Sequence, residues 1–305
     1  MGVLSGTKKV IRNPFYIVTI LNHFHLLNWM PDKAFIKLRY RAFMGQRLNL
    51  ESTKLFTEKL QWLKLYNRNP DHTGLVDKYE VRAYITEQFG AKYLIPLLGV
   101  WDSPGDIDFS ALPDQFVLKC THDSGTYIIC RDKKTFDIAA ARMRLKKSLR
   151  HNYYWHSREY PYKKVKPRII CEEFMVDESG TELKDYKVFC FNGRPTYILV
   201  DFNRLKGHNR NIYDTDWQYV PFVMNRYYPD PLTAFDKPAC FDEMLDIAGR
   251  VSKEHAFIRV DFFIVGSKLY IGELTFFHGT GLIRFEPPEY NAMLGDMLIL
   301  PEQGL

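Results

Sequence analysis

Charged side chains interrupt two adjacent β-rich runs late in the sequence. Arg259 and Asp261 lie in the first run, and Glu273 and Thr275 lie in the second, after a turn at Gly266. Two carboxylates about 4 Å apart repel each other by roughly 4 kcal/mol at an effective dielectric near 20, so a protein that brings them together normally also binds a cation. Magnesium binds one or two carboxylates together with phosphate oxygens. The pattern therefore predicts a metal–nucleotide site.

The turn between these runs decides whether the two carboxylates meet. With a plain two-residue turn at Gly266 and Ser267, Asp261 lies opposite Gly272, and Glu273 points to the other face. A three-residue loop, or a bulge at Gly272, shifts the register by one residue and places Asp261 across from Glu273. The alternative is an ordinary strand pair whose charges face solvent. A metal site thus requires one of these two irregularities.

A second group of candidate residues lies in earlier strand-like segments. Lys119 stands among apolar neighbours, and a polar turn at residues 121–125 follows it. A strand lysine and the backbone amides of such a turn can bind phosphate, although a lysine beside an ordinary hairpin gives the same pattern. Glu172 and Glu173 end a buried-looking strand, where backbone groups can bind an adenine and a carboxylate can bind a ribose. Solvated acids are the alternative interpretation.

Two further segments place charges on one face. A helix predicted over residues 75–89 carries Lys78 and Arg82 four positions apart. Asp185 and Lys187 alternate along a predicted strand, so that their side chains share one face of the sheet. These positions add candidate cations for an anionic ligand.

Composition predicts a folded protein without membrane-spanning helices. The 305 residues are 46% hydrophobic and 15% aromatic, enough to bury more than one core. The longest apolar runs fall well short of the roughly 18 residues that cross a bilayer. The N-terminal residues lack the layout of a signal peptide, and five cysteines without a C-x-x-C pair favour reduced thiols. We therefore expect a cytoplasmic protein.

Positive charge is concentrated in one segment. Residues 131–168 contain 13 Lys or Arg and three Asp or Glu, a net charge of +10, whereas the whole chain carries +6. Part of this segment, residues 139–149, is expected to form a helix with Met143, Leu145 and Leu149 facing inward. The surplus charge favours a polyanionic substrate or an anionic lipid surface. Nucleic acid is not expected, because no recognised binding motif accompanies the segment.

The order of predicted elements divides the chain into three regions. Residues 1–72 form an N-terminal helical region, residues 73–170 a first lobe with strands and the basic segment, and residues 171–305 a second lobe with the hairpin described above. A turn at Asn192 and Gly193 predicts another hairpin within the second lobe.

Taken in order, these segments resemble the ATP-grasp superfamily and, within it, the TupA-like family named for teichuronopeptide biosynthesis. The resemblance implies an α+β ATP-grasp fold, in which two α+β lobes with antiparallel sheets clamp ATP, with an N-terminal helical region added. The segments that carry it are residues 56–64, 77–82, 116–119, 172–174, 185–193, 259–262 and 272–275.

The resemblance also implies roles for individual residues. It implies that Arg259 and Lys187 are catalytic and that Asp261, Glu273 and Thr275 hold Mg²⁺. The residues that it implies to bind ATP are Lys78, Lys119, Ser124, Gly125, Glu172, Glu173, Phe174 and Asp185. Many ATP-grasp enzymes carry Asn where this chain has Thr275, a shorter oxygen donor. Asp123 places a negative charge in the implied phosphate loop, so we expect it to point away or to meet a cation.

The activity implied by the resemblance is ATP-dependent joining of a carboxylate to an amine through an acyl phosphate. In the implied setting, the enzyme attaches an amino acid to a uronic acid or amino acid unit of a bacterial surface polysaccharide. Residues 131–168 and the loop 203–210, which includes Arg204, Lys206, His208 and Arg210, suit an acidic glycan. A lipid-carried glycan would bring the protein to the inner face of the cell membrane.

Two other functions fit parts of the sequence. A glycosyltransferase would use an Asp-x-Asp metal motif, and residues 214–216 match that pattern, although their polar neighbours favour a turn. A non-catalytic basic glycan-binding protein with a degenerate nucleotide fold is the second alternative. The presence of Lys119, Asp261 and Glu273 argues against degeneration.

Overall fold

Two antiparallel sheets dominate the computed structural model, which describes residues 17–204, 207–225 and 227–302. The strands are β1 (Leu97–Trp101), β2 (Phe116–Cys120), β3 (Tyr127–Cys130), β4 (Ile169–Glu173), β5 (Asp185–Phe191), β6 (Arg194–Phe202), β7 (Asn209–Asp214), β8 (Val223–Met224), β9 (Phe257–Val265), β10 (Lys268–Thr275) and β11 (Phe285–Glu286). The first sheet has the order β1-β4-β2-β3 and the second β10-β9-β5-β6-β7, while β8 pairs with β11. The predicted α+β class with antiparallel sheets is confirmed.

Helices flank both sheets. They are α1 (Ile17–His23), α2 (Asp32–Met44), α3 (Phe56–Tyr66), α4 (His72–Val76), α5 (Val81–Gln88), α6 (Ile138–Leu149), α7 (Tyr154–Ser157), α8 (Phe241–Ser252) and α9 (Tyr290–Met297). Among the described residues, none of these helices is long and apolar enough to cross a bilayer. The N-terminal residues inspected for a signal-peptide layout, and Lys206, lie outside the described residues.

The four-stranded sheet has its own hydrophobic core. Phe116, Leu118 and Cys171 face α6, which contributes the fully buried Leu145. The prediction that Met143 faces inward is wrong, since its side chain is 68% exposed. The inward stripe of α6 runs instead through residues four apart, from Ala141 to Leu145 and Leu149, because this spacing keeps side chains on one face of a helix.

The five-stranded sheet buries side chains on both faces. On one face, Val188 and Val260 are fully buried beneath α8. On the other face, an aromatic cluster occupies one end of the strands, where Phe191 and Phe257 lie 5.7 and 5.0 Å, between ring centroids, from Phe56 of α3. The N-terminal helices therefore share one continuous core with this sheet. The remainder of that second face is charged, as described below.

The helix predicted over residues 75–89 is interrupted. The chain forms α4, breaks at residues 77–80 and restarts as α5. Asp77 is buried, and its carboxylate accepts hydrogen bonds from the backbone amides of Tyr79 and Glu80 at 2.8 and 3.3 Å. These bonds cap the start of a new helix and compete with continuation of the first. After this break, Lys78 contacts the loop that follows β2, whereas Arg82 contacts Glu172 in β4.

The hairpin of β9 and β10 has the bulge that a metal site requires. The turn has two residues, with Val265 paired to Lys268, and the register shifts between Ile271 and Glu273. Asp261 therefore pairs with Glu273, and Arg259 pairs with Thr275. Of the two predicted irregularities, the structure therefore has the bulge at Gly272 and not the three-residue loop.

Replacing Gly272 with alanine tests the packing of this bulge. A Cβ at this position would lie 2.5 Å from the ring of Phe263, so Gly272→Ala should destabilise the fold by about 1–3 kcal/mol in urea denaturation. Phe263→Leu in the same chain should restore part of that loss. Gly74→Ala in α4, where nothing lies within 4 Å, is the matched control. Equal stability of the Gly272→Ala and Gly74→Ala chains would contradict the proposed close packing.

Candidate active site

One face of the five-stranded sheet collects charged side chains from all five strands. The pairing places Lys187 beside Asp261, Asp185 beside Asp201, and Asp201 beside Arg210. Alternate residues of a strand lie on the same face of a sheet. The charged face therefore contains six of the site residues predicted from the sequence. They are Asp185, Lys187, Arg259, Asp261, Glu273 and Thr275.

Asp261 is at the centre of this face. Its Oδ1 accepts from Arg259 Nε at 2.5 Å, and its Oδ2 accepts from Arg259 Nη2 at 2.6 Å and from Lys187 Nζ at 3.0 Å. Burial raises the pKa of Asp261, and the charges of Arg259 and Lys187 partly offset that increase. Lys187 also donates to Asp185, which links the two carboxylates. Such pairing is required, because an unpaired buried carboxylate is strongly unfavourable.

Asp201 forms the other half of the network and was not identified from the sequence. Arg210 binds it in bidentate geometry, with Nε–Oδ1 and Nη2–Oδ2 distances of 2.5 and 2.8 Å. Burial alone would raise the pKa of Asp201, but Arg210 and the other nearby cations hold it well below its usual value. The only signal in the sequence is an acid at the end of the apolar run of β6.

The cations of the loop after β6 turn toward this network. Arg204 donates to Asp185, and His208 Nε2 lies 3.4 Å from an oxygen of Asp201. Arg204, His208 and Arg210 thus lie beside carboxylates of the protein itself, although the Arg204 side chain remains 37% exposed. The loop predicted to contact an acidic glycan thus also completes the charged face.

The donor set beside Asp261 suits magnesium. Among the described residues, Glu273 has no hydrogen-bond or ion-pair partner, and the buried Oγ1 of Thr275 has none either. Asp261 uses three of its roughly four lone-pair directions, which leaves one on Oδ1. The described chain contains no group of three or more His, Cys, Asp or Glu side chains arranged for a metal. Magnesium would therefore also need phosphate or water oxygens, as it commonly does.

His278 orients Arg259 and was missed in the sequence. Its Nδ1 lies 2.6 Å from Arg259 Nη1, and because the guanidinium can only donate, Nδ1 must accept. Burial, with the charge of Arg259 adding, holds the pKa of His278 well below its usual value, so the imidazole stays neutral. A histidine in a glycine-containing segment after Glu273 was the available signal.

Two side chains of α3 hold the loop that carries His278. Gln61 Nε2 donates to the carbonyls of Thr280 and Gly281 at 3.0 and 2.8 Å, and Lys64 Nζ donates to the carbonyl of Thr280 at 2.7 Å. Thr280 has a φ of 56°, a left-handed conformation that is costly for a residue with a branched side chain. The hydrogen bonds from α3 offset this cost and connect the N-terminal region to Arg259.

On the first sheet, Glu172 is neutralised by two cations. Lys119 Nζ lies 2.5 Å from Glu172 Oε2, and Arg82 Nη1 lies 3.3 Å from Oε1. Lys119 has three N–H donors, and in the described structure Glu172 is its one charged partner. The half-exposed side chains of Tyr127 and Ile129 lie on the same face, so this face combines a cation with apolar surface.

The loop after β2 is held from two sides. Lys78 Nζ donates to the backbone carbonyl of Asp123, and the carboxylate of Asp123 accepts from the hydroxyl of Ser148 in α6. The carboxylate of Asp123 is thus turned toward α6, and the expectation that it points away from a bound phosphate or meets a cation stays a prediction. Ser124 and Gly125 are exposed at the tip, and Gly125 has a φ of 97°, which favours glycine.

Glu173 and Phe174 lie apart from Lys119. Because strand side chains alternate, Glu173 points to the face opposite Glu172. Both residues line an open groove of about 970 Å³, where Arg131 lies 5.0 Å from the ring centroid of Phe174. Lys119 thus shares its face of the first sheet with the side chain of Glu172. Glu173 and Phe174 adjoin that face only through their backbone.

Two electrostatic interactions connect the first sheet with the charged face. Burial raises the pKa of Tyr153, and the charges of Glu159 and, more weakly, Glu273 add to that increase, whereas the side chain of Ser124 lowers it. Burial lowers the pKa of Arg204, but the neighbouring carboxylates and, more weakly, Tyr127 raise it by a larger amount. Tyr153 is therefore close to both the loop tip and Glu273, and Tyr127 lies near Arg204.

The Asp-x-Asp pattern is part of a turn. Asp214 ends β7, and its Oδ1 accepts from the backbone amides of Asp216 and Gln218 at 2.9 and 2.8 Å. The carboxylate thus stabilises a polar turn, as predicted. The expectation that no strand leads into this motif is wrong, because β7 ends at Asp214 and pairs with β6.

Two ligases of known structure show low similarity to this chain. The ATP-grasp ligase PsnB, solved with a phosphomimetic variant of its minimal precursor, Mg and ADP, shares 13% identity with a TM-score of 0.45, over 91% of this chain and 72% of PsnB. The D-alanine–D-alanine ligase of Bacillus anthracis shares 13% identity with a TM-score of 0.38, over 72% of this chain and 58% of that enzyme. No curated protein matches the chain.

A family match covers both sheets and the charged face. The family described as "TupA-like ATPgrasp" matches residues 58–299, which is most of the 305-residue chain. The matched range begins in α3, at the helix that holds the loop of His278, and extends beyond α9. This chain therefore belongs to the TupA-like ATP-grasp family and has the α+β ATP-grasp fold.

Proposed function

We propose that this chain is an ATP-dependent ligase that joins a carboxylate to an amine. Family membership supports the use of ATP, and the observation that carries the proposal is the charged face, where Arg259 and Lys187 adjoin the oxygen donors Asp261, Glu273 and Thr275. A site for phosphoryl transfer needs this combination of cations and hard oxygen ligands, because the transferred group carries dispersed negative charge.

The proposed reaction has two steps. A substrate carboxylate oxygen attacks the γ-phosphorus of ATP, the bond to the bridging oxygen breaks, and ADP leaves. The acyl phosphate then reacts with an amine, which forms the amide, loses a proton and releases inorganic phosphate. The chain's own part is to hold the anionic reactants in line and to exclude water.

We assign the nucleotide to the cleft between the two sheets. Tyr127 and Ile129 offer apolar surface for a purine, while Lys119 and Lys78 supply cations near the loop 121–125. Glu172 and the backbone up to Phe174 form the adenine side, with Glu173 facing outward. Asp185 acts by orienting Lys187.

Magnesium fits the position between β9 and β10. Asp261, Glu273 and Thr275 would hold it, and it would neutralise charge on the phosphate oxygens. Arg259, oriented by His278, would face the transferred phosphoryl group together with Lys187.

A protein nucleophile is not needed in this reaction. Burial raises the pKa of Cys120 to about 11 and that of Cys190 to about 12, so these thiols are poor nucleophiles near neutral pH. The absence of an activated thiolate at these two positions agrees with direct attack by the substrate carboxylate.

We propose an amino acid as the amine and a uronic acid or amino acid unit of a bacterial surface polysaccharide as the carboxylate. The teichuronopeptide setting that the resemblance implies, together with the +10 net charge of residues 131–168, supports an acidic glycan. A cytoplasmic location at the inner face of the cell membrane fits such a substrate. A glycosyltransferase would release UDP rather than ADP, and a non-catalytic glycan-binding protein would release neither.

The first test is ADP release with ATP and Mg²⁺ across amino acids and uronic-acid acceptors, with mass analysis of the product. Glu273→Gln should lower the rate by about 100-fold or more, because it removes a metal ligand. It should leave thermal stability unchanged, since Glu273 has no partner among the described residues. Glu87→Gln, at an exposed position of α5, is the control. ADP release that survives in Glu273→Gln would refute the metal assignment.

The second test concerns the positioning of Arg259. Gln61→Met removes two of the three hydrogen bonds by which α3 holds the loop of His278, and His278→Phe removes the acceptor for Arg259. Each variant should lower kcat by roughly 10-fold and leave the KM for ATP unchanged, because the nucleotide contacts lie elsewhere.

The double variant separates positioning from general damage. If Gln61 acts through His278, Gln61→Met should lower kcat little further in the His278→Phe background. Gln88→Met, at an exposed position of α5, controls for the change of side chain. Fully additive losses, or a rise in the KM for ATP, would mean that Gln61 does not act through His278.

A further inference from the structure

The segment after α1 presents large apolar side chains to solvent. Phe24, Leu26 and Trp29 are 65%, 57% and 78% exposed. The segment is nevertheless attached to the fold, because Asn22 Nδ2 donates to the carbonyl of His156 at 3.1 Å and Leu27 is buried. Three large apolar side chains within six positions therefore lie on an anchored surface turn.

The polar atom of Trp29 is already satisfied within this turn. Its indole Nε1 donates to the carbonyl of Leu26 at 2.9 Å. The ring can therefore enter an apolar environment without losing a hydrogen bond, which removes the usual cost of burying an indole. Phe24 and Leu26 have no polar side-chain atoms, so these three apolar side chains are suited to leave water.

A strongly basic helix lies beside this turn. The ring of His25 stacks on His151 with a centroid separation of 5.2 Å, and His151 lies two residues after the end of α6. The exposed positions of α6 and the residue after it carry a row of cations and one exposed methionine. They are Arg142, Met143, Arg144, Lys146, Lys147 and Arg150.

The surrounding sequence adds positive charge. The first 47 residues contain eight Lys or Arg and one Asp or Glu. A second copy of the chain is a poor partner for such a surface, because a two-fold contact would bring like charges together. Anionic lipid is complementary: apolar and aromatic side chains enter the interface while lysines and arginines contact headgroup phosphates.

We propose that Phe24, Leu26 and Trp29, together with the cations of α6, form a docking surface for an anionic lipid bilayer. The three apolar side chains insert at the level of the headgroups, and the cations bind the phosphates around them. This contact is with the lipid itself and requires no lipid-linked glycan. It also does not depend on the proposed ligase activity.

Cosedimentation of the full chain with vesicles tests the proposal. Vesicles of phosphatidylcholine with 30% phosphatidylglycerol should bind the chain at least 10-fold more tightly than pure phosphatidylcholine, and 0.5 M salt should weaken the binding by a similar factor. Neither vesicle contains glycan or nucleotide. Equal affinity for the two vesicles, or no binding, would overturn the proposal.

Two pairs of variants separate the apolar and the charged contributions. Phe24→Ser with Trp29→Ser, and Lys146→Glu with Lys147→Glu, should each reduce binding by about 10-fold or more. The controls change similar residues elsewhere: Leu232→Ser, at a side chain that is 95% exposed, and Lys253→Glu with Lys268→Glu. Thermal unfolding should be unchanged in all of them. Undiminished binding by the Phe24/Trp29 variant would show that the turn does not insert.

Fluorescence gives a direct readout of insertion. The difference between the wild-type chain and Trp29→Phe isolates the emission of Trp29 among five tryptophans. Anionic vesicles should shift this difference spectrum to shorter wavelength, and lipids brominated near the headgroup should quench it. An unshifted, unquenched Trp29 on vesicle-bound protein would exclude insertion. If the chain binds no vesicles but its particle size falls on dilution, it self-associates, and the surface would be assigned to a second copy of the chain instead.

Discussion

A buried carboxylate is stable only where hydrogen-bond donors or cations surround it, and on the five-stranded sheet lysines and arginines meet that requirement. Asp185, Asp201 and Asp261 lie on one buried face, and each is bonded to at least one lysine or arginine from the same sheet or its loop. Ionised groups in such surroundings are stable when paired and hydrogen-bonded, and strongly unfavourable when a partner is lost. The face is thus balanced before any substrate binds.

This balance has a consequence for substrate binding. Lys187 and Arg259 are held by Asp261, so their direction is set in advance, and the phosphate binding that we propose would need no further ordering of these side chains. Glu273 and Thr275 lie on the same face without partners among the described residues, which keeps oxygen donors available there. Preorganised cations and free oxygens are the two features that a phosphoryl-transfer site requires.

The N-terminal helices take part in the same arrangement. They share a core with the five-stranded sheet, whereas the four-stranded sheet has a separate core with α6. Through Gln61 and Lys64, α3 supports the left-handed loop whose histidine bonds to Arg259. Loops with unfavourable dihedral angles persist where the surrounding structure holds them. The region outside the two sheets is therefore part of the catalytic design that we propose.

Short-range patterns determined much of this protein. Strand-like patterns predicted β2 to β6 and the hairpin of β9 and β10, but not β1 or β7. The turn at Asn192 and Gly193 predicted the hairpin of β5 and β6, and the acids of the β9–β10 hairpin predicted a charged site. The choice between a longer turn and a bulge needed the tertiary structure, because both satisfy the same local spacing. The structure contains the bulge, and the ring of Phe263 packs against Gly272 at this position.

Contacts between distant segments could not be predicted from the sequence. The break after α4 depends on a buried aspartate that caps a new helix, and periodicity alone cannot distinguish that from continuation. Met143 faces solvent because α6 packs through a different stripe. Arg210 with Asp201, and His278 with Arg259, meet only when separate strands and loops pack together. The sequence by itself determined which residue types carry the chemistry, and the tertiary structure decided which of them touch, since local periodicity contains no information on long-range pairing.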